Sequence, residues 1–407
     1  MEDEAPLPRF HRSNPRLSTD RNLHLIVGIA LSTILGIVSV NPVLPTIAQS
    51  LQVAPDQIGL VISAYVLPIA FGAPILGILA DRVGRKVVII PSLVLFAIAG
   101  VLCSTAPDFR TLLAWRFLQG VGAASLELLA LTLIGDLYAG EAITSAMAFL
   151  GGSIGISSTV FPLLGGILAT FNWRWVFFLP LAAVGMAVLV LTNLKLPVRP
   201  ESSCNFSIRT YAIDVWRGIK SVQMFGLFLA VVCVFALQFG PCYIYIPMIA
   251  AMQQASSSMI GAMLACTQIF LAIFSSQIVR LSRRWSDVTL IKFAFLLFAI
   301  AFLLVPFMPN VWLLFVPCLV LGAAEAFALC PTRALIARLS PPQSRAGFMS
   351  TNILLQSLGQ VLGPTLFGII FGSGGIRSVF FACAGLAVAM IGILNLTLPI
   401  RNDFDRR

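Results

Sequence analysis

Residues 77–86 read Gly77-Ile78-Leu79-Ala80-Asp81-Arg82-Val83-Gly84-Arg85-Lys86. This short charged hinge stands between two apolar runs, 58–80 and 87–105. A bilayer-crossing helix needs about 20 apolar residues, so each flank is long enough to span and the hinge is a connection at the membrane surface. Working outward in both directions gives further runs of the same kind at 24–48, 110–135, 145–169, 174–194, 223–249, 257–280, 288–308, 311–337, 347–371 and 376–398. Most gaps between them are short. The exception is 195–222, which holds Pro197, Pro200, Arg209, Asp214, Arg217 and Lys220 and divides the runs into two sets of six. The expected fold is an all-α membrane protein with twelve transmembrane helices in two six-helix halves. Its parts are an N-terminal tail 1–23, a half 24–194, a linker 195–222, a half 223–398 and a C-terminal tail 399–407. The first run is read as a span and not a cleavable signal, because it is long and follows a charged tail.

Composition agrees. Apolar residues make up 58% of the 407 and charged residues 10%, against about 45–50% and 25% in soluble domains. Too few charges exist to cover a water-soluble surface, and too many apolar residues for a disordered chain. The net charge of +10 is not a nucleic-acid footprint, because the basic residues sit in gaps between apolar runs. With the N-terminus inside, 22 of the 26 basic residues fall on the inner side, and only Arg110, Arg116, Arg174 and Arg377 fall toward the outer side. The positive-inside rule then places both termini in the cytoplasm, in an inner or plasma membrane. Of eight cysteines only Cys204 lies in a polar gap. None has a metal-ligand spacing, so they read as small hydrophobes, and no metal or cofactor is expected.

The two halves repeat at a shift of about 200 residues. Asn41-Pro42-Val43-Leu44-Pro45 is matched by Tyr243-Ile244-Tyr245-Ile246-Pro247, and Gly122-Ala123-Ala124 by Gly322-Ala323-Ala324. Pro162, Gly165 and Gly166 are matched by Pro364 and Gly368, Arg174 by Arg377, and 81–86 by 280–284. Such duplicated halves, related by an axis along the membrane normal, are one transporter architecture.

The hinge resembles the GxLaDRxGRK signature loop of the major facilitator superfamily. Arg116-x-x-Gln119-Gly120-x-Gly122 in the fourth run resembles that superfamily's second motif. Asn41-Pro42-x-x-Pro45 is similar to an element of the twelve-helix drug:proton antiporters, and Asn172-Trp173-Arg174-Trp175 fits the usual approach to the sixth helix. Of the antiporter motif in the fifth helix this chain keeps Pro162, Gly165 and Gly166, with Ser157 and Phe161 where glycines usually stand. The resemblance covers essentially the whole chain. It implies a membrane transporter working by alternating access, and for the hinge a partner in the eleventh helix.

Within the hinge, glycine at 77 lets two backbones approach, and Gly84 can take a turn with positive φ. Asp81 ends a helix, where the dipole disfavours an acid, so it is expected to have a cationic partner. Gly77, Asp81, Arg82, Gly84, Arg85 and Lys86 together are read as a latch between the halves that holds the outward-open state. Arg82, Arg85 and Lys86 also fit plain topology determinants.

Only Glu127 and Glu325 among the 16 acids fall well inside a run. A charge at membrane depth costs at least about 2.5–3.5 kcal/mol, so such residues are functional by default. Arg116 lies eleven residues before Glu127, close to three helical turns, which puts both on one face about 16 Å apart, with Gln119 on the same strip. Glu127 reads as a proton-coupling carboxylate, as a recognition point for a cationic substrate, or as a structural partner. Glu325 is a second candidate, two residues out of register with Glu127. Asn41, Tyr65, Gln238, Tyr243, Tyr245, Gln268, Asn352 and Gln356 are polar or amphipathic in apolar runs. As a group they fit the lining of a mixed cavity, although singly each fits an interhelical hydrogen bond. Pro162, Gly165, Gly166, Gly359, Gly363 and Pro364 fit close helix packing, rocking between the halves, or both.

An enzyme at membrane depth would need a nucleophile with its base or a metal cluster, and neither pattern occurs. The gaps are too short for receptor domains. The expectation is therefore not an enzyme but a secondary active transporter, a monomer whose partners are a small-molecule substrate, protons and the lipid bilayer, with no nucleic acid. Efflux of a small amphipathic or hydrophobic compound in exchange for protons, of multidrug type, fits best. A symporter or facilitator for a polar metabolite such as a sugar or organic acid is the alternative.

Overall fold

A computed structural model describes residues 20–138, 141–194, 221–282, 284–340 and 345–398. Residues 1–19, the linker 195–220 and residues 399–407 lie outside them. The described residues are helical nearly throughout. The crossings are α1 (Arg21–Ser50), α2 (Leu60–Val83), α3 (Arg85–Ser104), α4 (Phe109–Leu137), α5 (Ala142–Phe171), α6 (Trp173–Asn193), α7 (Val222–Met252), α8 (Ser257–Leu281), α9 (Asp287–Phe307) and α10 (Phe315–Leu339). The last helical stretch, Arg345–Thr397, has 53 residues. At about 1.5 Å per residue it would be more than twice the thickness of a hydrocarbon core. Gly375 interrupts it with φ +73°, ψ −172°, which separates α11 (345–374) from α12 (376–397).

Local irregularities in α1, α7 and α4 bear on the sites below. Pro42 and Pro45 turn the end of α1 into a short 3₁₀ segment, Asn41–Val43, before helix resumes. The middle of α7 winds as a π-helix over Gln238–Tyr245, around Pro241. Proline has no N–H to give to the preceding turn. In α4, regular helix stops at Ala123 and restarts at Leu126.

The two halves obey a pseudo-symmetry that is clearest where glycines admit a neighbour's backbone. Gly59 of α2 lies against Pro364 of α11, and Gly261 of α8 against Pro162 of α5. Likewise Gly166 meets Ser257 and Ser258, and Gly368 meets Asp56. Each pair maps onto the other at a shift of 202 residues. At this shift Gly322, packed on Thr267 of α8, is the counterpart of Gly120, packed on Tyr65 of α2. The match of Gly122 with Gly322 read from the sequence is therefore off by two.

These contacts also define the conformation. Ser63 Oγ donates to Val361 O at 3.2 Å, and Thr46 and Ser257 hydroxyls lie 3.2 Å apart. All of them gather at one end of the bundle. Toward the other end, Gly151, Gly152 and Gly155 of α5 have no neighbour within 4 Å of a Cβ position, and Ile156 is 68% exposed. The halves are sealed at one end and part toward the end where α1 begins and α12 finishes.

Candidate functional site: two buried polar clusters and an open groove

The N-terminal half holds a buried cation. Arg116 of α4 is 1% exposed. Its Nε donates to Val61 O at 3.2 Å, and its Nη1 donates to Gly36 O at 2.9 Å and Gln119 Oε1 at 2.8 Å. The guanidinium lies 4.4 Å from the ring centroid of Tyr65, whose hydroxyl donates to Thr33 O at 3.0 Å. One side chain thus ties α1, α2 and α4 together through main-chain carbonyls. The planar fork of arginine suits this, because it presents several donors in fixed directions.

Glu127 lies beyond the turn at Ala124–Ser125, whose residues keep right-handed helical φ/ψ, and it acts electrostatically on Tyr65, the ring that covers Arg116. The two acid and base positions differ in exposure. Arg116 is buried, and Glu127 is exposed. Arg333 of α10 acts on Glu127 electrostatically, and it too is exposed. Both therefore look into the space between the halves. Arg333 was read from sequence only as a topology determinant. Its place eight residues beyond Glu325 on the same run was the available signal.

An open groove of about 440 Å³ runs between α2 and α4, its wall reaching Ala124, three residues before Glu127. Its walls are Leu67, Phe71, Ile75, Phe117, Val121 and Ala124. Phe71 and Ile75 are 58% and 63% exposed. Sequence could not single these residues out, because an apolar side chain in an apolar run carries no signal.

The C-terminal half buries an acid. Glu325 of α10 is fully buried, and its Oε2 accepts from Gln238 Nε2 at 2.9 Å. Gln238 Nε2 and Gln268 Nε2 each lie 3.0 Å from the Tyr243 hydroxyl, donating to it. Glu325 Oε1 has no partner. No charged side chain among the described residues acts on Glu325.

The polar residues expected to line a cavity are mostly interior instead. Asn41, Tyr65, Gln119, Gln238, Tyr243, Tyr245, Gln268 and Asn352 are all buried. Tyr245 stacks on Phe371. Asn352 and Gln356 border a narrow cleft with Arg333, whose Nη2 donates to Gln356 Oε1 at 3.4 Å. The reason is thermodynamic: a polar group in an apolar run finds its partner on a packed neighbour rather than facing lipid.

The hinge closes on its own half. Gly84 ends α2 with φ +99°, and Gly77 packs toward Leu128 of α4. Arg85, 8% exposed, lies 3.6 Å from Asp81 Oδ1 and pairs with Asp136 at the end of α4. Among the described residues these ion pairs join α2, α3 and α4, and neither reaches α11. Arg82 is exposed and Lys86 half-buried. The packing residues divide in two. Pro162, Gly166 and Pro364 meet the opposite half, whereas Gly165 meets Ser39 of α1 and Gly359 and Gly363 meet α7.

A family model, the Major Facilitator Superfamily, matches residues 26–255 and 236–405. The chain belongs to the Major Facilitator Superfamily. It is a multi-pass integral membrane transporter. Among curated relatives, the chain is 34% identical over 148 residues to the multidrug transporter protein MdtP of Bacillus subtilis (strain 168), covering 36% of this chain and 27% of that one. It is 37% identical over 172 residues to the putative multidrug resistance protein MdtD of Yersinia pestis (strain Pestoides F), covering 42% and 36%. It is 27% identical over 205 residues to the MFS-type efflux pump MMF1 of Pseudozyma antarctica (strain T-34), covering 49% and 38%. The matched stretch is thus roughly a third of each relative's length. Among solved structures, the superfamily fold is shared with a bacterial homolog to the human lysosomal transporter Spinster, in an inward-facing and occupied conformation. There the TM-score is 0.75 at 17% identity, over 95% of this chain and 97% of that one. A POT family transporter in complex with 5-aminolevulinic acid gives a TM-score of 0.79 at 13% identity, over 95% and 98%.

Proposed function

We propose that this transporter exports a small amphipathic or hydrophobic compound in exchange for protons, acting as a monomer in the cell membrane with both termini cytoplasmic. The observation that carries the reading is the apolar groove of α2 and α4 ending one turn from an exposed carboxylate, Glu127. Such a surface takes an apolar body in the groove and a polar or cationic group at its rim. The names of the relatives, two multidrug proteins and an efflux pump, support the outward direction. The distribution of basic residues supports a cytoplasmic opening.

In the open state the substrate enters between the halves and settles against Leu67, Phe71 and Phe117, with its polar end near Glu127 and Arg333. Rocking about the paired glycine–proline contacts then closes this end and opens the other. A proton reaching Glu127 from outside weakens its hold on the substrate, which leaves, and the carrier resets. Arg116 and Gln119 hold the frame of α1, α2 and α4 around that path. The Asp81–Lys86 loop stabilises the outward-open state when its end closes.

Whole-cell accumulation of lipophilic cations, neutral amphiphiles and weak acids tests this, comparing wild type, Glu127→Gln and empty vector, with collapse of the proton gradient at the end. Wild type should lower accumulation of at least one compound, and both the substitution and the uncoupler should restore it to the empty-vector level. Raised accumulation would make the protein an importer. A silent panel would point to a dedicated carrier for one polar metabolite.

A further inference from the structure

We infer that the opening between the halves selects amphipathic zwitterions. The ammonium group of the compound pairs with Glu127 of α4, its carboxylate pairs with Arg333 of α10, and its apolar body lies in the groove of α2 and α4. The inference rests on the export reading above and names the substrate class of that same site.

The two charges come from opposite halves. Glu127 and Arg333 are both exposed, and Arg333 acts on Glu127 electrostatically. No ion pair joins them among the described residues, so they face each other across a space instead of closing it. Of the other charges inside the spans, Arg116 and Glu325 are buried within their own halves. The Arg333 side suits a carboxylate. A guanidinium presents five N–H donors in a planar fork, and one of them goes to Gln356 Oε1 at a long 3.4 Å. Donors in such a fork match the two oxygens of a carboxylate. The cleft that Arg333 borders also holds Asn352, 3% exposed, whose Oδ1 has no partner. A buried polar atom left unmatched is costly, and a polar ligand group reaching the cleft removes that cost. Val231 and Val234 of α7 line the same cleft. Apolar walls of this kind strengthen a charge-assisted bond by lowering the local dielectric.

Charge balance decides the class. A compound with only an ammonium group pairs with Glu127 and puts a like charge beside Arg333. A compound with only a carboxylate does the reverse, and juxtaposed like charges are costly. An uncharged compound leaves both side chains unpaired at membrane depth, which is costly too. A zwitterion satisfies both at once and bridges the halves. The apolar walls of the groove, Phe71 and Phe117 among them, take the rest of the molecule.

The test is a fluorescence titration of the purified full-length protein in lipid discs, with four probes that share one apolar body. They are Nε-dansyl-lysine, a zwitterion; its methyl ester, a cation; its Nα-acetyl derivative, an anion; and the Nα-acetyl methyl ester, which is uncharged. Wild type should bind the zwitterion about tenfold or more tighter than each of the others, tenfold being about 1.4 kcal/mol. Arg333→Gln should remove the advantage over the cation, and Glu127→Gln the advantage over the anion. Arg333→Lys should keep part of both, because the charge stays and the fork is lost. A residue that only shaped the cavity would change all four affinities alike. Equal wild-type affinities for the zwitterion and its ester, binding of none of the four, or substitutions that scale the four together would overturn the inference. The accumulation test reads separately. A protein that exports a lipophilic cation but treats the four probes alike keeps the efflux reading and loses this inference. One that selects the zwitterion but raises accumulation keeps the inference and loses the efflux direction.

Discussion

The two halves bury opposite charges on their fourth helices. Among the described residues, the N-terminal half buries Arg116 with no acid bonded to it, and the C-terminal half buries Glu325, two turns further along the matching helix, with no cation bonded to it. Shifting by 202 residues brings Gly36 onto Gln238, Tyr65 onto Thr267 and Arg116 onto Cys318, so the junction of first, second and fourth helices is rebuilt in each half with different side chains. In the first, carbonyls of Gly36 and Val61 accept from the guanidinium and an aromatic ring covers it. Arginine stays charged in proteins, so that cluster is a fixed clamp. In the second, the Glu325 carboxyl accepts from Gln238, and each cluster keeps unmatched atoms, Arg116 Nη2 and Gln119 Nε2 in the first and Glu325 Oε1 in the second. Duplication supplied one frame twice, and divergence filled it with different side chains.

The largest expected effect breaks the clamp. Arg116→Lys keeps the charge but cannot fork across Gly36 O, Val61 O and Gln119. Hydrogen bonds to charged groups are worth about 1.5–3 kcal/mol each. Losing even one should lower the melting temperature of the purified protein clearly, by more than Glu325→Gln, which is near-isosteric and leaves its frame intact. Equal melting temperatures for Arg116→Lys and wild type would remove the distinction between the halves.

A middle-sized effect is expected at the pseudo-symmetric seal. A leucine at Gly261 or at Gly59 would press on Pro162 or Pro364 of the opposite half. Either substitution should open the sealed end and raise the labelling rate of a cysteine introduced at Thr46, by about tenfold for each 1.4 kcal/mol of displaced equilibrium. If only one of the two acts, the seal is functionally asymmetric although its geometry repeats.

The smallest effect concerns helix caps. Asp108 starts α4 by accepting from Thr111 N at 2.9 Å, and at the shift of 202 Asn310 does the same for Leu313 N at 3.0 Å. Those bonds hold the Asp108 carboxyl below its usual range, with the Thr111 backbone N–H the main cause. A lowered folded pKa means stability that is present above the ordinary carboxylate range and lost as pH falls through the folded value. Asn310 does not titrate. Acidification should therefore increase hydrogen exchange at the start of α4 and not at the start of α10, and Asp108→Asn should abolish the difference.

Much of the architecture was legible as sequence, because spans are long, apolar and bounded by charge. The hinge at 77–86 and the repeat were readable from the residues alone, although counting from Gly122 placed the repeat two residues off. The sites were less legible. Glu127 and Glu325 stood out as intramembrane acids, but the eleven-residue spacing that joined Glu127 to Arg116 did not show that one is exposed and the other buried. The polar residues assigned to a cavity turned inward, since an amide in a membrane helix signals that it needs a partner without saying where the partner is.

The sequence by itself determined that this chain crosses a membrane many times in two related halves, because burying backbone in lipid requires long apolar helices. Only the tertiary structure decided which polar groups meet. The π turn that joins Gln238 to Tyr243 and the turn at Ala124–Ser125 of α4 are local departures from regular helix. Those departures are set by packing between distant segments, which no single run of residues contains.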